Sequence, residues 1–415
     1  MTDYFDDLET RDPDAREAAL MASLPGQVAR AKNHAPGFGK ILATADPAAV
    51  TDRAALAALP VTRKSALIGL QETDPPFGGL TATPVGDLAR LYVSPGPIAD
   101  PEGTGGDFWR MARALFAGGF RKGDVVHNCF SYHFTPAGMM LDAGARALGC
   151  AVFPGGVGNS DGQAQAMAYF RAAGYVGTPD FLQAILDKAD ALKLDVSSCT
   201  KAVVSGGALF PDLRAAYADR GVRVLQCYGT ADLGLVAYES EAAEGMILDE
   251  SVIVEIVRPG TGDPVADGEV GEVVVTTLNA DYPLIRFGTG DLSAILPGIS
   301  PCGRTAPRIK GWMGRADQTT KVRGMFVHPE QVARVAARHP EIAKARLVVG
   351  NDNGQDTMTL RCEVPGAAGD VGDALAAAIA DSVQAECKLR GAVELVAPDT
   401  LPNDGKVIDD TRDYG

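Results

Sequence analysis

The chain has 415 residues, enough for two or three domains, and its 46% hydrophobic and 22% charged residues are the ordinary balance of a globular protein with a sizeable core. Its 38 basic against 53 acidic residues leave a net charge of −15, which excludes a sequence-independent grip on nucleic acid, a grip that needs Lys and Arg against phosphate. No apolar run approaches the ~20 residues that cross a bilayer, and seven scattered cysteines without a CxxC pair point to reduced thiols and a cytoplasmic protein.

The start, "MTDYFDDLETRD", has neither a signal nor a transit pattern. Up to about residue 85 the sequence carries helical patches such as "DAREAALMASLPGQVARAKNHAPGFGKIL", punctuated by Pro and Gly. In "YVSPGPIADPEG" an apolar run with Leu91, Tyr92 and Val93 reads as a strand entering a Ser-Pro-Gly-Pro turn, with a helix from about Asp107. Short apolar strands then alternate with helices: "DVVHNCF" (124–130), "CAVFPGG" (150–156), "KAVVSGG" (201–207) and "RVLQCYG" (223–229). That alternation predicts βαβ units and a mostly parallel sheet, hence an α/β fold. The stretch 250–278 reads as antiparallel strands joined by Pro-Gly and Asp-Gly turns, part of a β-rich subdomain over about 240–314. A large domain is expected over 1–316 and a small α+β domain over 317–415.

Four stretches have the residue types for ligand chemistry, though each alone also reads as an ordinary turn. "QCYGTADLG" places Tyr228, Gly229, Thr230 and Asp232 at a strand end, where α/β folds bind ligands; an aromatic ring flanks a base and Asp232 can hold Mg²⁺. In "YPLIRFGTGDLSAI", Asp291 can accept two hydrogen bonds from a vicinal diol. "GRADQTTKVRGMFVHPEQV" gathers Arg315, Lys321, Arg323 and Gly324 in a basic loop suited to a phosphate-bearing ligand, before a helix starting at Pro329. Near the end, "LPNDGKVIDD" offers Lys406 as a point charge for developing phosphate charge.

The order and spacing of these stretches resemble the adenylate-forming acyl-CoA synthetases. "GDVVHNCFSYHFTPAG", "ARALGCAVFPGG", "YPLIRFGTGDLSAILPG" and "RIKGWMGRADQTTKVRGMFVHPEQV" look like the phenylacetate–CoA ligase branch, from about Leu91 to the end. The resemblance implies a carboxylic acid activated with ATP and Mg²⁺ to an acyl-adenylate, then passed to coenzyme A. It assigns Tyr228, Gly229 and Thr230 with Gly206 and Gly207 to the adenine, Asp291 to the ribose and Asp232 to Mg²⁺. Asp317 matches the hinge between half-reactions, Lys406 the catalytic lysine, and Arg315, Lys321, Arg323 and Gly324 the cofactor-binding segment whose loop forms the pantetheine channel. The acid pocket falls on Phe130, Tyr132, His133, Phe134 and Gly138, with His133 where a glycine is usual. A homodimer is typical of that branch.

Three departures stand out. The phosphate loop keeps Ser94 and Gly96 but not its threonines and lysine, while Asp100 and Glu102 put negative charge where triphosphate would lie. "EGTGGDF" offers glycine N–H groups before a helix as compensation. Asp232 stands in place of a glutamate, and Ala231 and Ala208 replace a hydroxyl residue and a glutamate. These departures leave two alternatives beside the acid–CoA ligase: an adenylating or acyl-transfer enzyme with another acceptor or no ATP use, and a non-catalytic ligand-binding relative.

Overall fold

The first long helix shows how the sequence sets its own ends. The Asp12 carboxylate accepts from the Ala15 N–H at 3.0 Å and Pro13 occupies the first turn, so Pro13–His34 forms one 22-residue helix that runs through Pro25 rather than breaking there. Leu24, Val28 and Ala31 are fully buried along one face, which packs on strands of the large unit. A leucine or valine so buried contributes roughly 1.5–3 kcal/mol, so Leu24 and Val28 together offset the roughly 3 kcal/mol cost of an internal proline.

The computed structural model describes residues 3–257, 262–316, 319–352, 354–366, 370–402 and 407–412. Two units result, Met1–Met313 and Gly314–Gly415. The large unit is built on a nine-stranded sheet. Its parallel half runs Ala151–Pro154, Val125–Asn128, Gly174–Gly177, Lys201–Val204 and Arg223–Thr230, with helices between successive strands. Gly174–Gly177 is a strand that the sequence does not advertise, since two of its four residues are glycines. Beyond Arg223–Thr230 the sheet continues antiparallel through Gly234–Tyr238, Met246–Leu248, Arg308–Ile309 and Ile295–Leu296.

The β-rich stretch therefore divides between two sheets. Val252–Val257, Gly271–Thr277 and Phe287–Ser293 form a second sheet, closed by the short parallel strand Thr62–Arg63 from the N-terminal region. This pairing brings Lys64, the next residue, to the large unit's strand ends.

"YVSPGPIADPEG" is a hairpin. Arg90–Ser94 pairs with Ile98–Glu102 across the turn Pro95–Pro97, with Tyr92 opposite Asp100 and Arg90 opposite Glu102. Its inner face carries Tyr92, Ile98, Asp100 and Glu102, whereas Leu91 and Val93 face outward. The helix that follows starts at Met111, not at Asp107; the Asp107 carboxylate instead caps it by accepting from the N–H groups of Met111 and Ala112.

The small unit is a four-stranded sheet ordered Ala392–Val396, Gln355–Glu363, Lys344–Asp352 and Ile408–Asp410. The helices Pro329–Arg338 and Asp370–Cys387 bury Val332, Val335, Ile379 and Val383 in its core.

Candidate active site

Tyr228 and Asp291, assigned separately from sequence, meet directly. The Tyr228 hydroxyl donates to Asp291 Oδ2 at 2.8 Å, and the Trp312 indole N–H donates to Oδ1 at 2.9 Å. Two donors on opposite oxygens fix the plane of this carboxylate. Thr289 steadies the same corner: its hydroxyl donates to the Val273 carbonyl and receives the Asp291 N–H. Gly229 sits at a register shift between the Arg223–Thr230 and Gly234–Tyr238 strands. A Cβ there would lie 2.5 Å from the Gly234 carbonyl oxygen, so only glycine lets the strands close behind Tyr228. Thr230 turns its hydroxyl inward to receive the Leu233 N–H. Gly206 and Gly207 are exposed at the carboxyl end of the neighbouring strand, Gly206 with φ of +73°.

Asp232 is buried and meets a partner that no motif announced. Lys64 Nζ donates to Asp232 Oδ2 at 2.5 Å. Burial alone would lower the Lys64 pKa, but Asp232, Asp100 and Asp291 overcome it and hold the ammonium above its ordinary value. Lys64 precedes Asp232 by 168 positions, so local spacing could not pair them. Asp100 completes the group from the hairpin. It is fully buried, and that burial, followed by the neighbouring Asp232, pushes its carboxyl well above the usual range, against the pull of Lys64.

These placements correct the expectation that Asp100 and Glu102 present their charge to a triphosphate from the hairpin surface. Glu102 turns inward, accepting from Tyr92 Oη at 2.6 Å and Arg90 at 2.8 Å. Ser94 donates to the Ile98 carbonyl and Gly96 lies exposed in the turn. The glycine run 103–106 leads into Asp107, whose carboxylate takes the Met111 and Ala112 N–H groups that open the next helix.

Around the proposed acid pocket, Asn128 at the end of its strand donates to the Tyr132 hydroxyl and the Gly138 carbonyl, both at 2.8 Å, and receives the Phe130 N–H. The Tyr132 hydroxyl passes on to Asp142 at 3.1 Å. The structure thus gathers Phe130, Tyr132 and Gly138. His133 and Phe134 stand exposed, Phe134 at 81% with φ of +62°.

In the small unit, Thr320–Val322 and Met325–Val327 form a hairpin whose two turn residues, Arg323 and Gly324, both have positive φ. The Arg323 side chain donates to the carbonyls of Asp356 and Arg390, while Arg315 and Lys321 lie near the Phe326 ring, at 5.8 and 5.6 Å from its centroid. The expected hinge Asp317 and catalytic Lys406 lie outside the described residues.

A parallel sheet with an aromatic and a buried acid at the end of its last strand, met by a ribose-type carboxylate from the second sheet, defines a nucleotide-binding enzyme of the adenylate-forming class. The family of AMP-binding enzymes matches residues 107–279. The phenylacetate–coenzyme A ligase of Aromatoleum evansii is 30% identical over 86% of this chain and 83% of its own length. That of Thermus thermophilus is 29% identical over 87% and 84%. Among solved structures, 2-hydroxyisobutyryl-CoA ligase in complex with 2-HIB-AMP and CoA superposes with a TM-score of 0.85 at 25% identity, over 100% of this chain and 93% of that one. The chain belongs to the phenylacetate–CoA ligase branch of the adenylate-forming acyl-CoA synthetases.

Proposed function

We propose that this ATP-dependent acid–CoA ligase acts on an aryl or other small carboxylic acid. In the first step a carboxylate oxygen attacks the α-phosphorus of ATP, the bond to pyrophosphate breaks, and an acyl-adenylate forms. In the second the coenzyme A thiol attacks the acyl carbon, loses its proton, and AMP leaves with the bonding electrons. The observation that carries this reading is the oriented Tyr228–Asp291–Trp312 cluster at the sheet's carboxyl edge, which suits an adenosine: a ring beside the base and a fixed carboxylate for the ribose.

The chain's own residues support the chemistry as follows. Lys64 brings a permanent cation to strand ends where the hairpin lacks a lysine, and the buried Asp232 keeps one oxygen, Oδ1, outside its bond with Lys64. That oxygen fits Mg²⁺, which takes one or two carboxylates plus phosphate oxygens and shields phosphate charge when bound. Lys406, Asp317 and the 321–324 hairpin take the roles that the resemblance gives them: α-phosphate contact, hinge and pantetheine channel. Among the described residues no helix is long and apolar enough to cross a membrane. The reading includes a cytoplasmic enzyme that pairs as a homodimer, which sedimentation tests.

The deciding assay incubates the enzyme with ATP, coenzyme A and a panel of aryl and short-chain acids, following AMP and acyl-CoA by mass spectrometry. Equal amounts of AMP and one acyl-CoA are expected. Acyl transfer without AMP, or AMP without acyl-CoA, would overturn the reading.

A further inference from the structure

In the small unit, the backbone on both sides of Lys406 is gripped by the sheet. Lys344 and Arg346 lie two residues apart on the strand Lys344–Asp352 and so share one face, while Leu347 and Val349 fill the core from the other. Lys344 Nζ donates to the carbonyls of Leu401 at 3.2 Å and Pro402 at 3.0 Å, and Arg346 Nη2 donates to the same Pro402 carbonyl at 3.1 Å. Glu363, paired with Lys344 across the strands, accepts from the Leu401 N–H at 2.7 Å. Beyond Lys406, the Leu347 N–H donates to the Val407 carbonyl at 2.9 Å, beside the parallel pairing of Leu347 with Ile408.

Arg346 reaches both sides at once. Its side chain is buried, and Nη1 lies 3.7 Å from Asp409 Oδ2 while Nη2 holds Pro402. A rigid guanidinium fork suits that task, whereas an ammonium is a single point and cannot keep two separate partners in a fixed relation. A buried ion pair adds little net stability over apolar packing, so fixed geometry is the gain that this arrangement offers. We propose that Arg346 is the positioning residue for Lys406, with Lys344 and Glu363 completing a clamp that fixes the backbone before and after it.

A lysine carries its charge on a flexible stem, so the point its ammonium reaches depends on how firmly its backbone is held. A misplacement of about 1 Å in a catalytic site can cost about a hundredfold in rate. The proposal rests on the reading of Lys406 as the α-phosphate contact, and it deepens that reading: adenylation depends on the clamp, and transfer to coenzyme A does not.

The two half-reactions are therefore measured apart on the full-length protein, with the acid that the panel turns over. Single-turnover pyrophosphate release without coenzyme A reports adenylation, and supplied acyl-adenylate with coenzyme A reports transfer. Arg346→Met should slow adenylation at least about tenfold, with the KM for ATP and the transfer rate within about twofold of wild type. Arg346→Lys and Lys344→Met should show the same split with a smaller loss. On a Lys406→Ala background, Arg346→Met should cost nothing more, because the residue it positions is gone. Circular dichroism melts accompany each variant, and Arg346→Lys carries the test should Arg346→Met fail to fold. Wild-type adenylation in folded Arg346→Met, equal slowing of both half-reactions, or a full further loss on Lys406→Ala overturns the proposal alone. Unimpaired adenylation in Lys406→Ala overturns the lysine's assigned role and the proposal together. Should the panel yield no acid, the ligase reading fails and amide deuterium exchange, which needs no substrate, decides on the clamp. The Leu401 amide should then exchange at least about tenfold faster in Arg346→Met, and a wild-type rate overturns the proposal.

Discussion

The Tyr228 hydroxyl donates to Asp291 Oδ2 across 2.8 Å, joining residues 63 positions apart and fixing the carboxylate from one side while Trp312 fixes it from the other. Removing only the hydroxyl, by Tyr228→Phe, keeps the ring for the base and deletes one bond worth a net 0.5–1.5 kcal/mol. The KM for ATP should rise about two- to twelvefold with kcat little changed. Asp291→Ala removes the acceptor itself and should raise KM further. Steady-state kinetics check both; a Tyr228→Phe enzyme with a lower melting temperature but unchanged KM would make the pair structural only.

Glu102 serves the hairpin, not the phosphates. It accepts from Tyr92 and Arg90, and burial, then the Glu102 bond, raise the Tyr92 hydroxyl pKa above its ordinary value. Glu102→Ala leaves a buried hydroxyl without its acceptor, a loss of about 1–3 kcal/mol. Urea unfolding should show that loss while the KM for ATP stays within about twofold. Tighter ATP binding at unchanged stability would instead put Glu102 on the phosphate path.

The same hairpin shows where sequence reasoning reaches and stops. Strand alternation says that Tyr92, Asp100 and Glu102 share a face, but not that this face is the buried one, because outward Leu91 and Val93 are the more apolar pair. The parallel sheet, the Tyr228 strand end and the helix from Pro329 were legible, since turn residues and apolar runs mark them locally, whereas Asp291 lies inside the strand Phe287–Ser293. Lys64 was not. It reaches Asp232 only because Thr62–Arg63 adds in parallel beside Phe287 and Gly288, a pairing with no local signature. Among the acid-pocket residues, the turn that carries Tyr132 inward carries His133 and Phe134 outward, which residue type alone does not decide.

Glu9 ties the N-terminal segment to the large unit. Almost fully buried, it accepts from Arg113 at 3.2 Å, Arg304 at 3.0 Å, Tyr238 at 2.9 Å and the Phe5 N–H at 3.1 Å. Cutting out one partner of a buried ion cluster strands the others, and Glu9→Ala should cost about 3–5 kcal/mol. Glu9→Gln, which keeps the shape and two acceptor lone pairs, should cost less. Denaturant curves on the two variants separate the contributions; equal losses would mean that shape, not charge, holds the segment.

His127 gives stability a pH dependence whose sign follows from its surroundings. The ring is fully buried on the strand Val125–Asn128, stacked near Phe153 with centroids 5.0 Å apart. Its Nε2 lies 2.7 Å from Gln163 Oε1; since the Gln163 amide donates to the carbonyls of Gly155, Gly156 and Gly158, its oxygen must accept, and His127 carries its proton on Nε2. Nδ1 is left bare, without a partner to share a second proton. Burial lowers the pKa below its ordinary value of 6.5, only partly opposed by the Gln163 bond. Below pH 6.5 the unfolded chain therefore binds a proton that the folded chain refuses. Unfolding free energy should fall as pH drops, by up to about 1.4 kcal/mol per unit, and level off below the folded pKa. His127→Asn should lower stability at neutral pH and flatten this slope between pH 6.5 and 5. Urea unfolding at half-unit pH steps measures both, and an equal slope in the variant would assign it to other groups.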